Sequence, residues 1–204
     1  MFREAIETRD RLGDRQRVAV VRHNLALVLF DAGDLEGARG ELEAALEIAR
    51  GLGDRLETAN ALSDLGFVET TAGNVERAAA LQAEAMSVAA RIGAKGIVAQ
   101  AIDGAAGILA FHGDRLAAAT LWAAADRIRQ DAHYAMLAAD QRRIAAETVA
   151  AREAEPEAAW LAAWERGARL SIEEALGRAS DALRAFEPAP DASAPTRAAA
   201  KVAV

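Results

Sequence analysis

The sequence predicts an all-α protein made of antiparallel helical hairpins that stack on one another, with further helices closing the C-terminal end. Alanine makes up more than a quarter of the 204 residues, only 4% are aromatic, and the first proline is Pro156. Alanine is the best helix former, whereas aromatic and β-branched residues favour strands. This composition therefore favours closely packed helices, and a regular glycine spacing shows how they are arranged.

Two series of glycines divide the chain into copies of one unit. Each series has a spacing of 40 residues, with Gly13, Gly53 and Gly93 in the first and Gly33, Gly73 and Gly113 in the second. Between the glycines, apolar residues such as Leu25 and Leu29 recur at helical spacing. The second glycines suit the left-handed residue that ends a helix, and the Asp or Asn after them suits the cap of the next helix. Each unit is therefore predicted to be a hairpin, and hairpins must stack to bury their apolar faces.

The same period predicts where the units begin and end. We expect a half repeat at 1–12, full repeats at 13–52, 53–92 and 93–131, closing helices at 132–187 and a disordered tail at 188–204. The repeat lapses after residue 131, where His133 stands in place of a fourth glycine. Helices are expected beyond it at 139–154, 156–167 and 172–186, the last of which begins with a Ser171–Glu174 capping box.

The half repeat leaves an apolar edge to be explained. Residues 2–12 align with the second helix of a unit, and Phe2, Ala5 and Ile6 would face water. Two explanations remain open: a longer chain with upstream repeats covers this edge, or a second copy covers it in a homodimer.

The hairpins resemble the tetratricopeptide repeat. The residues that carry this resemblance in the first copy are Arg22, Leu25, Ala26, Leu29, Ala38, Leu42 and Ala45. Arg22, Glu69 and Gln82 depart from the family pattern, because they put polar groups where the family has bulky apolar ones. The resemblance implies a right-handed superhelix with a concave face that binds proteins or peptides. The Leu-Gly-Asp-Arg junctions at 12–15 and 52–55 are similar to those of MalT-like sensor regions in bacterial LuxR-type regulators.

The C-terminal block resembles the closing segment of bacterial signal-transducing ATPases that regulate transcription. Its matching segments are 121–126, 158–160 and 163–175, which contain Trp122, Trp160, Trp164 and Gly167. The resemblance implies a sensor and interaction region that is joined in the family to an upstream ATPase domain.

Composition and motifs argue against several functions. With 24 basic and 31 acidic residues the net charge is −7, which disfavours direct binding to nucleic acid or to an anionic membrane. The absence of cysteine excludes thiol chemistry and disulfides. Neither a phosphate-binding Gly-x-x-x-x-Gly-Lys-Ser/Thr loop nor a Gly-x-Ser-x-Gly motif is present. We expect a protein without catalytic, metal or cofactor sites. The sequence shows neither a signal peptide nor an apolar run long enough to span a membrane, so we expect a cytoplasmic protein.

Histidines and tryptophans are the other candidates for a site. His23, His112 and His133 lack the spacing of a metal site and are interpreted as ordinary surface or groove residues. Trp160 and Trp164 lie four residues apart on one helical face. We interpret them as core residues, with an aromatic contact for a partner as the alternative.

The favoured site is the concave face that the first helices of the three hairpins would form. Its inward positions combine aromatic rings with hydroxyl, amide and carboxylate groups, which suits a peptide or ligand. The candidates are Val20, His23, Leu27, Phe30, Asp31, Asn60, Ser63, Phe67, Thr70, Thr71, Gln100, Asp103 and Phe111, with Gly107 and Ala110 beside them. Burial of some of them against neighbouring helices is the alternative.

Two functional hypotheses follow. The first is a noncatalytic protein-interaction or ligand-sensing module, the C-terminal part of a bacterial signal-transducing ATPase and transcriptional regulator. The second is a free-standing tetratricopeptide adaptor or peptide receptor that acts as a homodimer.

Overall fold

The computed structural model describes residues 2–186, and within that range every regular element is an α-helix. The ten helices are α1 Phe2–Arg11, α2 Arg15–Asp31, α3 Leu35–Leu52, α4 Arg55–Thr71, α5 Val75–Arg91, α6 Lys95–Phe111, α7 Arg115–Asp131, α8 Ala138–Glu153, α9 Glu157–Ala168 and α10 Ile172–Arg184. This confirms the all-α prediction. The tail expected at 188–204 lies outside the described residues.

Each of the three hairpins pairs two adjacent helices: α2 with α3, α4 with α5, and α6 with α7. The second helix of each pair also packs on the first helix of the next, so α3 contacts α4 and α5 contacts α6. The apolar core runs continuously through these interfaces from Ala26 to Ile128. The hairpins therefore stack as the sequence predicted.

The glycines close the turns between helices. All six adopt a left-handed backbone, with φ of 82° at Gly33 and 70° at Gly53. After Gly33, the Asp34 carboxylate accepts a hydrogen bond from the Gly37 amide at 2.9 Å and caps α3. Both local predictions are confirmed here. At Asn74 the capping prediction is wrong, because its side chain donates to Glu69 at 2.7 Å and makes no cap hydrogen bond.

Small residues allow the helices of each hairpin to approach closely. Ala38, Ala78 and Ala118 are each 0% exposed. Any larger side chain at these positions would have to displace the neighbouring helix.

The three polar departures from the repeat pattern are all paired. Arg22 donates to Glu41 at 2.6 Å, and the fully buried Glu69 accepts two hydrogen bonds from Arg39, at 2.8 and 3.0 Å. Burial alone would raise the pKa of Glu69, but the hydrogen bonds from Arg39 and Asn74 hold it below its usual range.

Gln82 occupies the space that two glycines leave open. A Cβ at either Gly66 or Gly104 would overlap the Gln82 amide. That amide donates to the Ser63 carbonyl at 3.0 Å and accepts from the Ser63 hydroxyl at 3.4 Å. A long polar side chain at the family's bulky position is therefore matched by missing side chains on both adjacent helices.

The closing helices α9 and α10 pack on different parts of the repeat stack. α9 lies directly against α7, and a Cβ at Gly167 would overlap the Thr120 carbonyl oxygen. The Thr120 hydroxyl bridges the two helices by donating to the Ala163 carbonyl at 3.2 Å. α10 packs on α5, α6 and α7 and begins with the predicted capping box at Ser171.

The tryptophans help to form this C-terminal seam. Trp122 is 1% exposed and Trp160 is 3% exposed, so both belong to the core. Trp164 is half-buried and stacks on Trp160 with ring centroids 6.2 Å apart.

Within residues 2–186 no helix combines the length and the apolar character needed to cross a membrane.

Candidate functional site

The first helices of the three hairpins, α2, α4 and α6, form one wall, which we call the concave face. A cavity of about 260 Å³ lies between this wall and a second side formed by the end of α7, the segment that leads into α8, and α8 itself. Its lining residues from the wall are Val20, His23, Asn24, Leu27, Glu57, Asn60, Asp64, Gly96 and Gln100, and those from the other side are Arg129, Tyr134, Met136, Leu137, Asp140, Arg143 and Ile144.

His23 lies at the centre of the wall between two carboxylates. Its Nδ1 is 2.7 Å from Glu57 Oε1 and its Nε2 is 2.6 Å from Asp64 Oδ2. Burial alone would lower the pKa of His23, but these two hydrogen bonds outweigh it and raise the pKa to about 10. At neutral pH the imidazolium is therefore charged, and the three groups together carry one net negative charge.

Amide groups surround this charged trio. The Gln100 side chain donates to Asp64 Oδ1 at 2.7 Å, so both carboxylate oxygens of Asp64 are used. Among the described residues, the side-chain amides of Asn24 and Asn60 have no hydrogen-bond partner, although both line the cavity. These two amides can hydrogen-bond an incoming ligand or peptide backbone without breaking an existing contact.

α8 lies across the concave face. The Arg143 guanidinium stands over the Phe67 ring of α4, 3.7 Å from its centroid. Farther along, a Cβ placed at Gly107 on α6 would lie 3.2 Å from Glu147 Oε2. Two faces of the molecule, one from the repeats and one from the C-terminal block, therefore enclose the cavity.

A buried ion pair lies close to this interface. Asp103 is 0% exposed and accepts a hydrogen bond from Arg129, which is 7% exposed. Burial raises the pKa of Asp103 to about 7, while the positive charges of Arg129 and Arg143 oppose that rise. Burial and the nearby Asp64 carboxylate likewise raise the pKa of Asp140, which lies on α8.

A family model for the tetratricopeptide repeat matches residues 17–91. The chain contains a tetratricopeptide-repeat region. No curated protein and no solved structure matches the chain in the same comparisons. The matched span covers the first two hairpins, α2 to α5, and therefore two of the three helices that form the concave face.

Seven of the residues predicted for the tetratricopeptide-repeat groove line space beside the concave face. Those around the cavity are Val20, His23, Leu27, Asn60 and Gln100. Phe30 and Phe67 line a narrower crevice beside it, which Leu27 and Asp140 also border.

The other predicted groove residues lie elsewhere. Ser63 is 0% exposed and bonded to Gln82 between α4 and α5, because helix α4 turns that face toward its hairpin partner. Asp103 is buried with Arg129 and does not line the cavity. The hydroxyls of Thr70 and Thr71 donate to the carbonyls of Gly66 and Phe67, each at 2.9 Å, within their own helix.

Two predicted groove residues are at helix ends. Asp31 is exposed at the last residue of α2, and Phe111 is 65% exposed at the last residue of α6. Phe111 contacts the His112 ring, with centroids 5.6 Å apart, and lies outside the cavity lining.

The prediction missed the residues that give the site its charge. Glu57 and Asp64 are three residues before and four residues after Asn60, so helical spacing placed them on the same face. That signal was available in the sequence. Arg129, Asp140 and Arg143 had no comparable signal, because Arg129 lies on the second helix of its hairpin and the other two reach the site through the path of the chain after α7.

The histidines show no metal-binding arrangement. In the described part of the chain, no group of three or more His, Asp or Glu side chains is arranged to hold a metal ion. His23 has both ring nitrogens engaged by carboxylates, and His112 instead packs its ring against Phe186, with centroids 4.7 Å apart.

Proposed function

We propose that this chain is a noncatalytic interaction and sensing module that binds a peptide segment of a partner protein at its concave face. Tetratricopeptide repeats generally mediate protein–protein interaction, and the chain contains such a region. The observation that carries the proposal is the partly open cavity on the concave face, where two unpaired amides lie beside the negatively charged His23, Glu57 and Asp64 trio.

The chemistry of the cavity favours recognition over catalysis. His23 is fixed between two carboxylates, and its raised pKa keeps it protonated, so it is a poor general base at neutral pH. Val20, Leu27 and Ile144 provide apolar contact area beside the polar groups. Apolar walls with a few fixed polar groups are typical of binding sites.

A library of displayed helical peptides tests this function. It is panned against the full chain and against its Arg143→Ala variant, in which α8 lacks its contact with Phe67 on the concave face. We expect enriched peptides to lose binding when Asn60 is replaced by leucine, because the larger apolar side chain fills the cavity and removes the free amide. The control is Leu52→Ala, which changes an exposed residue at the end of α3 and should leave binding intact. Failure of both chains to yield peptides that depend on Asn60 would contradict the proposal.

We further propose that the module belongs to a cytoplasmic bacterial signal-transducing ATPase that regulates transcription, with MalT-like repeats. The support is the sequence resemblance of segments 121–126, 158–160 and 163–175 to the closing segment of such proteins. Gly167, within the last of these segments, is the residue that lets α9 seat on α7. An immunoblot of source cells with an antibody against residues 150–186 tests this context. A band several times larger than 21.4 kDa supports it, and a band of 21.4 kDa contradicts it.

A free-standing homodimeric adaptor is the second candidate function. It is favoured by α1, which has no fully buried residue and leaves Phe2, Ala5 and Ile6 half-buried. Light scattering across a dilution series tests it. A dimer that a Phe2→Ser/Ile6→Ser variant converts to monomer supports the adaptor, whereas a monomer at all concentrations contradicts it.

A further inference from the structure

α8 occupies the concave face without being part of the repeat stack. Of its 16 residues only Ile144 and Ala151 are buried. The position against α7 is taken by α9, whose Gly167 approaches the α7 backbone so closely that a Cβ would overlap the Thr120 carbonyl. Along the chain, α8 therefore lies between two firmly packed parts of the molecule. In the fold it contacts α6 and α7 and crosses the surface on which a tetratricopeptide-repeat partner would lie.

The residues of α8 that face the wall form a short recognition pattern. Asp140, Arg143, Ile144 and Glu147 are spaced by three and four residues, so they share one side of the helix. Arg143 stacks over Phe67, and Ile144 closes one side of the cavity. An arginine followed by a branched apolar residue thus shows which side chains this wall accepts.

The fit of α8 to the wall is incomplete. Within the described residues, buried Glu147 Oε2 and Asp103 Oδ1 have no hydrogen-bond partner, and buried Arg143 Nη1 has only an ion-pair contact, 3.5 Å from Glu147 Oε1. Buried polar atoms without partners destabilise the arrangement that buries them. The cavity of about 260 Å³ left beside α8 is a second sign of imperfect contact.

The start of α8 is also weakly held. Its N-cap residue is Leu137, which provides no side-chain hydrogen bond and is 60% exposed. The other exposed large apolar residue of this helix is Val149, at 54%. By contrast, Ser171 and Glu174 close both hydrogen bonds of the capping box at the start of α10.

The charges of the wall favour a basic occupant. Glu57 and Asp64 leave one net negative charge after pairing with His23, and Asp31 adds another close enough to Asp140 to disfavour its ionisation. Asp140 of α8 has the same charge sign as this acidic surface, whereas Arg143 of α8 has the opposite sign. A helix that kept the arginine and lacked the aspartate would be more complementary than α8 itself.

We propose that α8 is a resident occupant of the concave face, and that the binding partner is a helix that displaces it and presents an arginine to Phe67 next to an isoleucine-sized residue. This inference rests on the proposed function, because it identifies the partner chemistry and the regulation of that same surface. A partner binds only when α8 leaves, so α8 sets the affinity of the module.

A fluorescent peptide of residues 137–154 is the probe, and its binding to three full-length chains is measured by anisotropy. Weakening the resident helix with Arg143→Ala should vacate the wall, so we expect this chain to bind the peptide at least about tenfold more tightly than the wild type. Arg142→Ala is the matched control, because Arg142 is an exposed arginine on the same helix. It should bind as the wild type does.

A second peptide, with alanine in place of Arg143, tests the role of the arginine. It should bind the Arg143→Ala chain about tenfold more weakly than the unaltered peptide, because it cannot stack on Phe67. Ile144→Ser provides an independent weakened chain, in case Arg143→Ala fails to fold, as judged by its far-ultraviolet circular dichroism.

Several results would overturn the inference. The first is equal peptide affinity for the wild-type and weakened chains, and the second is no binding by either weakened chain. The third is equal affinity for the unaltered peptide and for the peptide with alanine in place of Arg143. Appearance of a dimer in the weakened chains would show that a second copy supplies the occupant instead. None of these results would contradict the proposed function, because that function is tested separately, by whether peptides selected from the library depend on Asn60.

Discussion

α6 and α8 both follow a left-handed turn, but α6 begins two residues after it and α8 five residues after it, and their surroundings differ. Each follows the second helix of a hairpin through a left-handed residue, Gly93 with φ of 69° before α6 and His133 with φ of 51° before α8. Of the 17 residues of α6, twelve are buried, whereas α8 buries two of 16. A left-handed residue after a hairpin is therefore not enough to place the next helix in the stack.

The difference comes from the residues on the face that would have to pack. On α6 that face carries glycines and apolar residues, among them Gly104 against Gln82 and the fully buried Ile102. On α8 the corresponding side carries Asp140, Arg143 and Glu147. Charged groups resist burial without full pairing, so α8 stays on the surface and α9 takes the inner position.

The largest single loss of stability is expected from an isoleucine truncation in α6, and the same truncation in α8 is its matched comparison. Ile102→Ala in α6 is expected to lower the free energy of unfolding by about 3 kcal/mol, since Ile102 is fully enclosed. Ile144→Ala in α8 should cost less, about 2 kcal/mol, because Ile144 is 8% exposed and borders an existing cavity. Urea denaturation of both variants measures the two values, and equal losses would contradict the looser packing of α8.

Gly167→Ala is the next largest expected change. A methyl group at Gly167 meets the Thr120 carbonyl, so α9 must move away from α7 at a cost of about 2 kcal/mol. Gly177→Ala is the control, because Gly177 is an exposed helical residue of α10 with open space around its Cβ position. It should stabilise the chain by about 0.5–1 kcal/mol, and thermal melts of the two variants should shift in opposite directions.

Ala78→Leu tests the packing inside the repeat stack. Ala78 is 0% exposed in the middle hairpin, so the larger side chain should cost about 1–3 kcal/mol. Ala80→Leu, two residues farther along α5 and exposed, should leave the melting midpoint nearly unchanged. An unchanged midpoint for Ala78→Leu would mean that the hairpin register is wrong.

The pH dependence of stability should reveal the His23 trio. The pKa of His23 is about 10 in the folded chain, against 6.5 for an ordinary histidine, so the stabilisation is complete below pH 6.5 and is lost as pH rises toward 10. Between pH 7 and 9 the wild type should lose up to about 1.4 kcal/mol of stability per pH unit relative to His23→Gln. Parallel pH profiles for the two chains would contradict the raised pKa.

The polar departures from the repeat show how far the residues alone could be interpreted. Arg22, Glu69 and Gln82 stood out in the sequence as groups in apolar positions. Their partners did not, because Glu41 and Arg39 come from a neighbouring helix and the space for Gln82 comes from Gly66 and Gly104 together. Helical periodicity assigns a residue to a face, but it does not say which group on another helix meets it.

The candidate site was predictable to a similar extent. Helical spacing predicted one surface for Val20, His23 and Asn60, which all line the cavity, and the same spacing would have added Glu57 and Asp64. Sequence reasoning placed Ser63 on that surface too, although it is buried between α4 and α5.

The sequence by itself determined the local features of this protein: helix type, the left-handed glycine turns, the Asp34 and Ser171 caps, and the 40-residue unit that repeats them. These features depend on backbone preferences and on groups a few residues apart, which a linear sequence displays directly. Only the tertiary structure decided that α9 replaces α8 against α7, and that Arg143 crosses to Phe67. Both depend on contacts between helices that are distant in the sequence, and these contacts are decided by packing and desolvation in three dimensions.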